Sequence, residues 1–276
     1  MEKFGKSQSV LRTEDNRFLT GKGRYIDDAT PPGSLFAYFL RAQVAHAEIR
    51  SLCVDNAKKA TGVKAIFTAE DLKNNNVKND LIGVTVKNRD GTDGACPKRP
   101  LLATDRVRFV GEPIVLIIAD STDNAKDAAE LVDIDYDDLP VSLDLAIGKN
   151  TIHPEAPGNV AFEWELGDKL KTDAVFKNAD KVVSMEVANN RIIVNSMEPR
   201  GCYAQWENNK LHLSVSGQGV WTHKRFLSEI LGLKGDQIRV TNPDVGGGFG
   251  MKAMGYPEEF LVSFASVQLE KPIRWM

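Results

Sequence analysis

The segment that most limits what this chain can become is Pro243-Asp-Val-Gly-Gly-Gly-Phe-Gly-Met-Lys252, which follows an apolar stretch at Gln237–Thr241 that reads as a strand. Four glycines in five positions permit left-handed dihedrals and leave no Cβ in the way of an approaching group. Successive backbone N–H groups can then face one concavity, suited to phosphates or to a metal-bound oxo group. A turn built only for packing needs one or two glycines, so four mark a binding loop. Two phosphate motifs are testable here. The Walker pattern ends in Gly-Lys-Ser/Thr, and Lys252 lies between Met251 and Ala253, so it fails. Gly248 to Ala253 satisfies the loose dinucleotide pattern GxGxxA, but that fold starts its helix on the loop itself. Here Pro257, followed by Glu258 and Glu259, marks a later helix start, with Phe260, Phe264 and Val267 on one face. The acidic residue expected about 20 positions further on is not found before Met276. A nicotinamide-dinucleotide-binding reductase is therefore the weaker alternative.

A second polar turn lies upstream. Ser214-Val-Ser-Gly-Gln218-Gly219 leaves a predicted strand, Leu211–Val215, and enters a predicted helix from Trp221 to Leu231 that buries Leu227, Ile230 and Leu231 and ends on Gly232. A glutamine amide offers one acceptor and two donors and can orient an oxygen ligand without adding charge. Both polar turns follow predicted strands, which favours a shared site.

Elsewhere the pattern alternates strand and helix. Leu35–Leu40 and Gly62–Phe67 read as strands. Ile114–Ala119 reads as a buried one, followed by N-cap candidates at 120–123 and by Ala125, Ala128, Ala129 and Val132 at helical spacing. Val132, Ile134 and Tyr136 then alternate with aspartates, as in a strand with one wet face. Nine acidic residues between Asp120 and Asp144, against Lys126 alone, fit such a solvated face better than a cation site. Residues 139–168 carry Pro140, Pro154, Pro157 and several glycines with little periodicity, which places a boundary near residue 150. Further strands are expected at Lys181–Val187 and Arg191–Asn195.

Composition removes several functions. With 35 basic and 38 acidic residues the formal charge is −3, so no electrostatic footprint for nucleic acid exists. The longest clean apolar run, Ile114 to Ala119, is far short of the roughly 20 residues of a membrane span. The opening MEKFGKSQSV has no apolar core of a signal peptide. The three cysteines, Cys53, Cys96 and Cys202, are odd in number and far apart, which fits reduced thiols in a cytoplasmic protein better than a disulfide scaffold. His46, His153, His212 and His223 never fall at ligand spacing, so a zinc or iron–sulfur site made of this chain's own side chains is not expected.

Several segments together resemble the large, molybdenum-cofactor-binding subunit of the xanthine dehydrogenase/aldehyde oxidase/carbon monoxide dehydrogenase family. They are Arg12–Gly21 with Gly23-Arg-Tyr25, Ala45-His-Ala47, Leu102–Pro113, Gly158–Trp164, Met197-Glu-Pro-Arg200, Gln218, and Gly246-Gly-Gly-Phe-Gly250. The resemblance implies an α/β (α+β) fold: an N-terminal arm (1–17), an a/b hammerhead domain (18–140), a linker (141–168) and the first part of a molybdopterin-binding domain (169–276). It implies cofactor-binding roles for Gln218, Gly219, Gly247, Gly248, Phe249 and Gly250, with Gln218 near the molybdenum oxo ligand and no protein side chain on the metal. It also implies a molybdopterin cofactor in its cytosine dinucleotide form. FAD and 2Fe-2S clusters would sit on flavin and iron–sulfur partner subunits, and the reaction would be oxidation of an aldehyde, N-heterocycle or other small substrate with water as oxygen source. The family's general-base glutamate is expected beyond Met276, so a chain supplying the C-terminal half, or a second copy of the large subunit, is an expected partner and the isolated chain is expected to be inactive. Xanthine-type members carry a glutamate where this sequence has Ala253, which disfavours a purine; Gly250, Lys252, Tyr256 and Pro257 look closer to the carbon monoxide dehydrogenase-like branch. Glu198 is expected to be a structural pair for a nearby basic group. A non-catalytic binding or assembly module of the same fold is the alternative.

Overall fold

The computed structural model of the chain describes residues 10–81, 83–143, 148 and 150–276. Residues 1–9 of the expected arm and residues 144–147 and 149 of the expected linker, with Asp144 of the acidic run, lie outside the described residues.

The strands are β1 (Leu35–Arg41), β2 (Ala47–Cys53), β3 (Val63–Phe67), β4 (Arg106–Val107), β5 (Pro113–Ala119), β6 (Asp133–Asp138), β7 (Cys202–Glu207), β8 (Lys210–Val215), β9 (Ile238–Thr241) and β10 (Ile273–Trp275). The α-helices are α1 (Asp15–Leu19), α2 (Asp55–Lys58), α3 (Ala69–Asn74), α4 (Thr122–Glu130), α5 (Lys169–Asn178), α6 (Trp221–Leu231) and α7 (Pro257–Leu269). A seven-stranded mixed sheet runs β3-β5-β1-β10-β7-β8-β9, and a three-stranded antiparallel sheet runs β4-β2-β6.

The apolar run of β5 is buried at all seven positions because both of its faces are covered. Successive side chains point to opposite sides of a strand. Accordingly Leu116 and Ile118 join one core with Ala37, Phe39 and Phe264, while Val115, Ile117 and Ala119 join another with Ala125 and Ala128 of α4. The Ser121 hydroxyl caps α4 by accepting the Asn124 N–H at 3.1 Å, a contact worth about 1 kcal/mol. The strand–helix–strand reading of 114–136 therefore holds locally, yet β5 and β6 enter different sheets.

Three elements set up the polar turns. β7 and β8 form a hairpin through Asn208 and Asn209, both at positive φ (50° and 60°), as a two-residue turn with right-handed strand twist requires. β8 and β9 then pair in parallel, Leu211 opposite Ile238 through Ser214 opposite Thr241. α6 makes the crossover, burying Phe226, Leu227 and Ile230, and stops where Gly232 turns left-handed at φ 69°. Ligand sites in such α/β units lie outside the carboxyl ends of the strands. Both polar turns leave those ends.

Two expected strands need correction. Residues 181–187 and 191–195 form no strand; Val183, Met185, Ile192 and Ile193 are exposed, and no neighbouring strand among the described residues supplies the ladder that extended backbone needs. Just before them lies α5, not foreseen, nucleated by Asp168, whose carboxylate accepts the Lys171 N–H at 3.0 Å. α7 starts at Pro257 as expected, and positions 258 to 266 are all buried, including Glu258 and Glu259.

Candidate functional site

The turn after β8 and the loop after β9 meet. The Gln218 Oε1 accepts the Gly250 N–H at 2.9 Å, and the Gln218 N–H donates to the Lys252 carbonyl at 2.9 Å. A Cβ on Gly248 would stand 2.5 Å from the Gln218 amide carbon, so only glycine permits this approach. Gly247 and Gly250 adopt φ of 98° and 84°, and Phe249 sits between them at φ 51°. A non-glycine residue in that region stores roughly 1–3 kcal/mol, held by its surroundings. The amide groups of Gly247, Gly248 and Phe249 have no acceptor among the described residues. Three successive N–H donors without acceptors thus lie in the loop that Gln218 holds, the donor set that anion- or oxygen-binding backbone loops use. Gln218 and Gly219 are exposed, and Phe249 is 79% exposed.

The loop is held from beneath by a buried ion pair. Lys252, whose side chain is 0% exposed, places Nζ 2.9 Å from Glu198 Oε2 and 2.7 Å from the Ser216 hydroxyl. Glu198 also accepts the Gly246 N–H at 2.8 Å and the Ser216 O–H at 2.6 Å. Burial opposes its ionisation, but these hydrogen bonds outweigh it and hold the carboxyl below the usual carboxylate range. Glu198 is thus the structural partner of a basic group, as expected, and that group is Lys252. On the other flank, Asp244 takes a bidentate contact from Arg17 of α1 and the Arg24 N–H at 2.7 Å. The Tyr256 hydroxyl donates to the Met251 carbonyl at 2.5 Å.

The start of α7 carries a second buried network. Glu258, 2% exposed, accepts from Arg41 at 2.5 Å and from Arg200 at 3.1 Å. Arg200 also stacks on the Tyr256 ring at 3.9 Å. Burial pushes the Glu258 carboxyl up, but Arg200 and then Arg41 overcome this and leave its pKa low. His223 of α6 lies 2.9 Å from Glu259 Oε2 without hydrogen-bond alignment. Desolvation lowers its pKa, yet the Glu259 carboxylate prevails and raises it. The structure brings Gln218 and the glycine loop together; the burial of Lys252, Glu258 and His223 was not foreseen, and for Glu258 and His223 the available signal was a polar group beside apolar helix positions.

Beside the loop, on the Ala253 side, a cavity of about 500 Å³ is lined by Val84, Phe162, Phe226, Ala253 and Met254 together with Arg99, Arg225 and Thr222, with no carboxylate in its lining. Among the described residues no three His, Cys, Asp or Glu side chains gather as a metal site, and no helix is long and apolar enough to cross a membrane.

Residues 20–140 match the family described as aldehyde oxidase and xanthine dehydrogenase, a/b hammerhead domain, and residues 152–276 match the molybdopterin cofactor-binding domain. The nicotine 6-hydroxylase large subunit of Paenarthrobacter nicotinovorans is 38% identical over 97% of this chain and 32% of its own length. The carbon monoxide dehydrogenase large chain of Hydrogenophaga pseudoflava is 33% identical over 99% of this chain and 35% of its own. The solved structure of quinoline 2-oxidoreductase from Pseudomonas putida 86 superposes with a TM-score of 0.80 at 32% identity, covering 98% of this chain and 34% of that one. The chain spans about a third of the length of the curated relatives it matches.

Proposed function

The chain belongs to the xanthine dehydrogenase/aldehyde oxidase/carbon monoxide dehydrogenase family, as the hammerhead and molybdopterin-binding portion of its large subunit, and on that premise we propose that it builds one wall of a molybdenum hydroxylase active site. The observation that carries the proposal is the run of three amide N–H groups without acceptors among the described residues, at Gly247, Gly248 and Phe249, in a loop tied to the Gln218 amide through Gly250. It fits the cofactor: a Cβ on Gly248 would fill the cradle, and neutral donors suit oxo or phosphate oxygens. When bound, the molybdenum–molybdopterin cofactor supplies two-electron oxidation of a carbon centre with oxygen drawn from water.

This chain's residues position and select. The Gly250 N–H holds the Gln218 oxygen, which fixes the amide's orientation and leaves its NH₂ as a donor for an oxygen ligand. The Lys252–Glu198 pair fixes the loop's height beneath, and Gly219 leaves the entrance open. The apolar cavity beside Ala253 receives the substrate, a small N-heteroaromatic ring, since Phe162, Phe226 and Met254 offer flat and deformable walls. With Ala253 in place of a carboxylate, nothing there rewards a purine's extra donors. The nicotine and quinoline chemistry named for two relatives falls in the same ring class. The pterin carries cytosine dinucleotide, and electrons leave to FAD and 2Fe-2S centres on partner subunits in the cytoplasm. The remaining large-subunit residues come from further chain or from a partner.

The test is to purify the chain with its partner subunits and to measure molybdenum by mass spectrometry and pterin as its fluorescent oxidised derivative. Stoichiometric molybdenum is expected for the unaltered protein. Gly248→Val should lower metal and pterin together by about tenfold or more while the circular dichroism spectrum stays unchanged. A complete, folded assembly free of both metal and pterin overturns the proposal and favours the non-catalytic module.

A further inference from the structure

A second cavity, of about 510 Å³, opens between the end of β1, the segments 98–100 and 108–113, and the first turn of α7. Its charge is unbalanced. Five cations line it: Arg41, Lys98, Arg99, Arg108 and Arg200. Only two carboxylates answer them, Glu112 and Glu258, and both are almost wholly buried. Glu258 is shared by two guanidinium groups, Arg41 and Arg200, which leaves one positive charge in excess at that point. Glu112 spends one oxygen on the Arg108 backbone N–H at 2.6 Å, and burial pushes its pKa up, which weakens it further as a counter-ion.

Lys98, Arg99 and Arg108 make no ion pair among the described residues, and the Nε of Arg108 is buried with no acceptor there. A buried donor left unmatched is costly, and a charged one more so. The thirteen-residue helix α7 also begins at Pro257 on this wall, adding the positive end of its dipole. Apart from the His153 imidazole, the remaining walls are mainly apolar: Phe109, the Tyr256 ring, Leu81 and prolines. The volume falls within the range of small-molecule sites.

An inorganic anion would meet the cations but leave the apolar walls wet. A neutral ring would meet the walls but leave the guanidinium groups unmatched. We propose that this cavity is a binding site for an organic anion with an apolar ring, an aryl carboxylate, separate from the glycine loop. The carboxylate bridges Arg108 and the Lys98–Arg99 segment, and the ring lies against Phe109 and Tyr256. Because Tyr256 donates to the Met251 carbonyl, the site touches the loop's own support. The proposal stands independently of molybdenum, since it concerns side chains that do not contact the Gln218 turn.

Titration calorimetry of the full chain, and of its assembly with partner subunits, tests it with benzoate, benzamide and inorganic phosphate as probes. Benzoate is expected to bind saturably and about tenfold or more tighter than either benzamide or phosphate. Arg108→Gln should weaken benzoate by about tenfold or more. Lys98→Gln, at an exposed position whose loss leaves folding intact, should also weaken benzoate. Equal binding of benzamide or phosphate overturns the proposal, as does unaltered benzoate binding in both variants with native circular dichroism. Absence of saturable binding overturns it too. So does binding to the chain alone that disappears on assembly, which would make the cavity a protein–protein seam.

Discussion

Replacing Glu198 with glutamine removes one charge from beneath the glycine loop and keeps the side chain's shape. Lys252 is then a buried ammonium whose remaining partner is the Ser216 hydroxyl at 2.7 Å. Removing one partner of a buried pair costs about 3–5 kcal/mol, because the other charge stays desolvated and unmatched. The upper part of that range applies, since Lys252 is fully enclosed and the lost carboxylate oxygen also served Gly246 and Ser216. At about 2 °C per kcal/mol for a chain of this size, the melting temperature should fall by about 8–10 °C. The opposite change, Lys252→Met, should cost less, because Glu198 keeps the Gly246, Ser216 and Ile26 donors. Combining the two should recover much of the loss, as an apolar and neutral pair of similar volume often replaces a buried ion pair without penalty. Urea unfolding of the four proteins gives the coupling energy as a double-mutant cycle.

Acidity adds a second axis to the same experiment. The folded Glu198 carboxyl titrates below its unfolded value of about 4.3, so its stabilisation is complete above that pH and fades as pH falls through the folded value. The unaltered protein and Glu198→Gln should therefore converge in acid and diverge toward neutrality. A Glu198→Gln protein within about 1 kcal/mol of the unaltered one at neutral pH refutes the reasoning. A double variant showing the full sum of both single losses refutes it equally.

Two further outcomes are expected. His223, 1% exposed, has its folded pKa raised by Glu259, so its contribution is complete below the unfolded value of about 6.5 and is lost as pH rises through the folded value. Stability should thus decline across that window in the unaltered protein and not in His223→Gln, and equal slopes in urea denaturation would refute the pairing. Gly232→Ala places a Cβ in open space but at φ 69°, so it should cost about 1 kcal/mol through backbone strain alone, read as a lower melting temperature with native circular dichroism.

What the sequence discloses divides by range. α6 and its Gly232 cap and α4 behind Ser121 rest on contacts within a few residues, and each is found where the local pattern places it. The glycine loop is equally local, since four glycines state a backbone requirement whatever surrounds them. Glu258 shows the opposite case. An acidic residue in a helix's first turn reads as a surface charge complementing the dipole. Its burial depends on Arg200, 58 residues away, and Arg41, 217 residues away, and no window of the sequence holds all three.

The segment 181–195 shows why periodicity alone cannot make a strand. Its apolar residues carry the composition of extended structure, with Val182, Val183, Val187, Ile192 and Ile193 among them. Unlike a helix, whose hydrogen bonds close within a few residues, a strand leaves every N–H and C=O to be met by another segment. β5 succeeds because β1 and β3 flank it on both edges and two cores cover its faces. Residues 181–195 have neither, so identical residue types yield irregular, exposed backbone. The same logic explains why Gln218 and the glycine loop coincide. Each ends one strand of a parallel pair, and pairing in register, Ser214 beside Thr241, brings their exits together whatever the 30 or so residues between them do. Partnership between strands, which a linear pattern does not encode, decides both the failed strand and the assembled site.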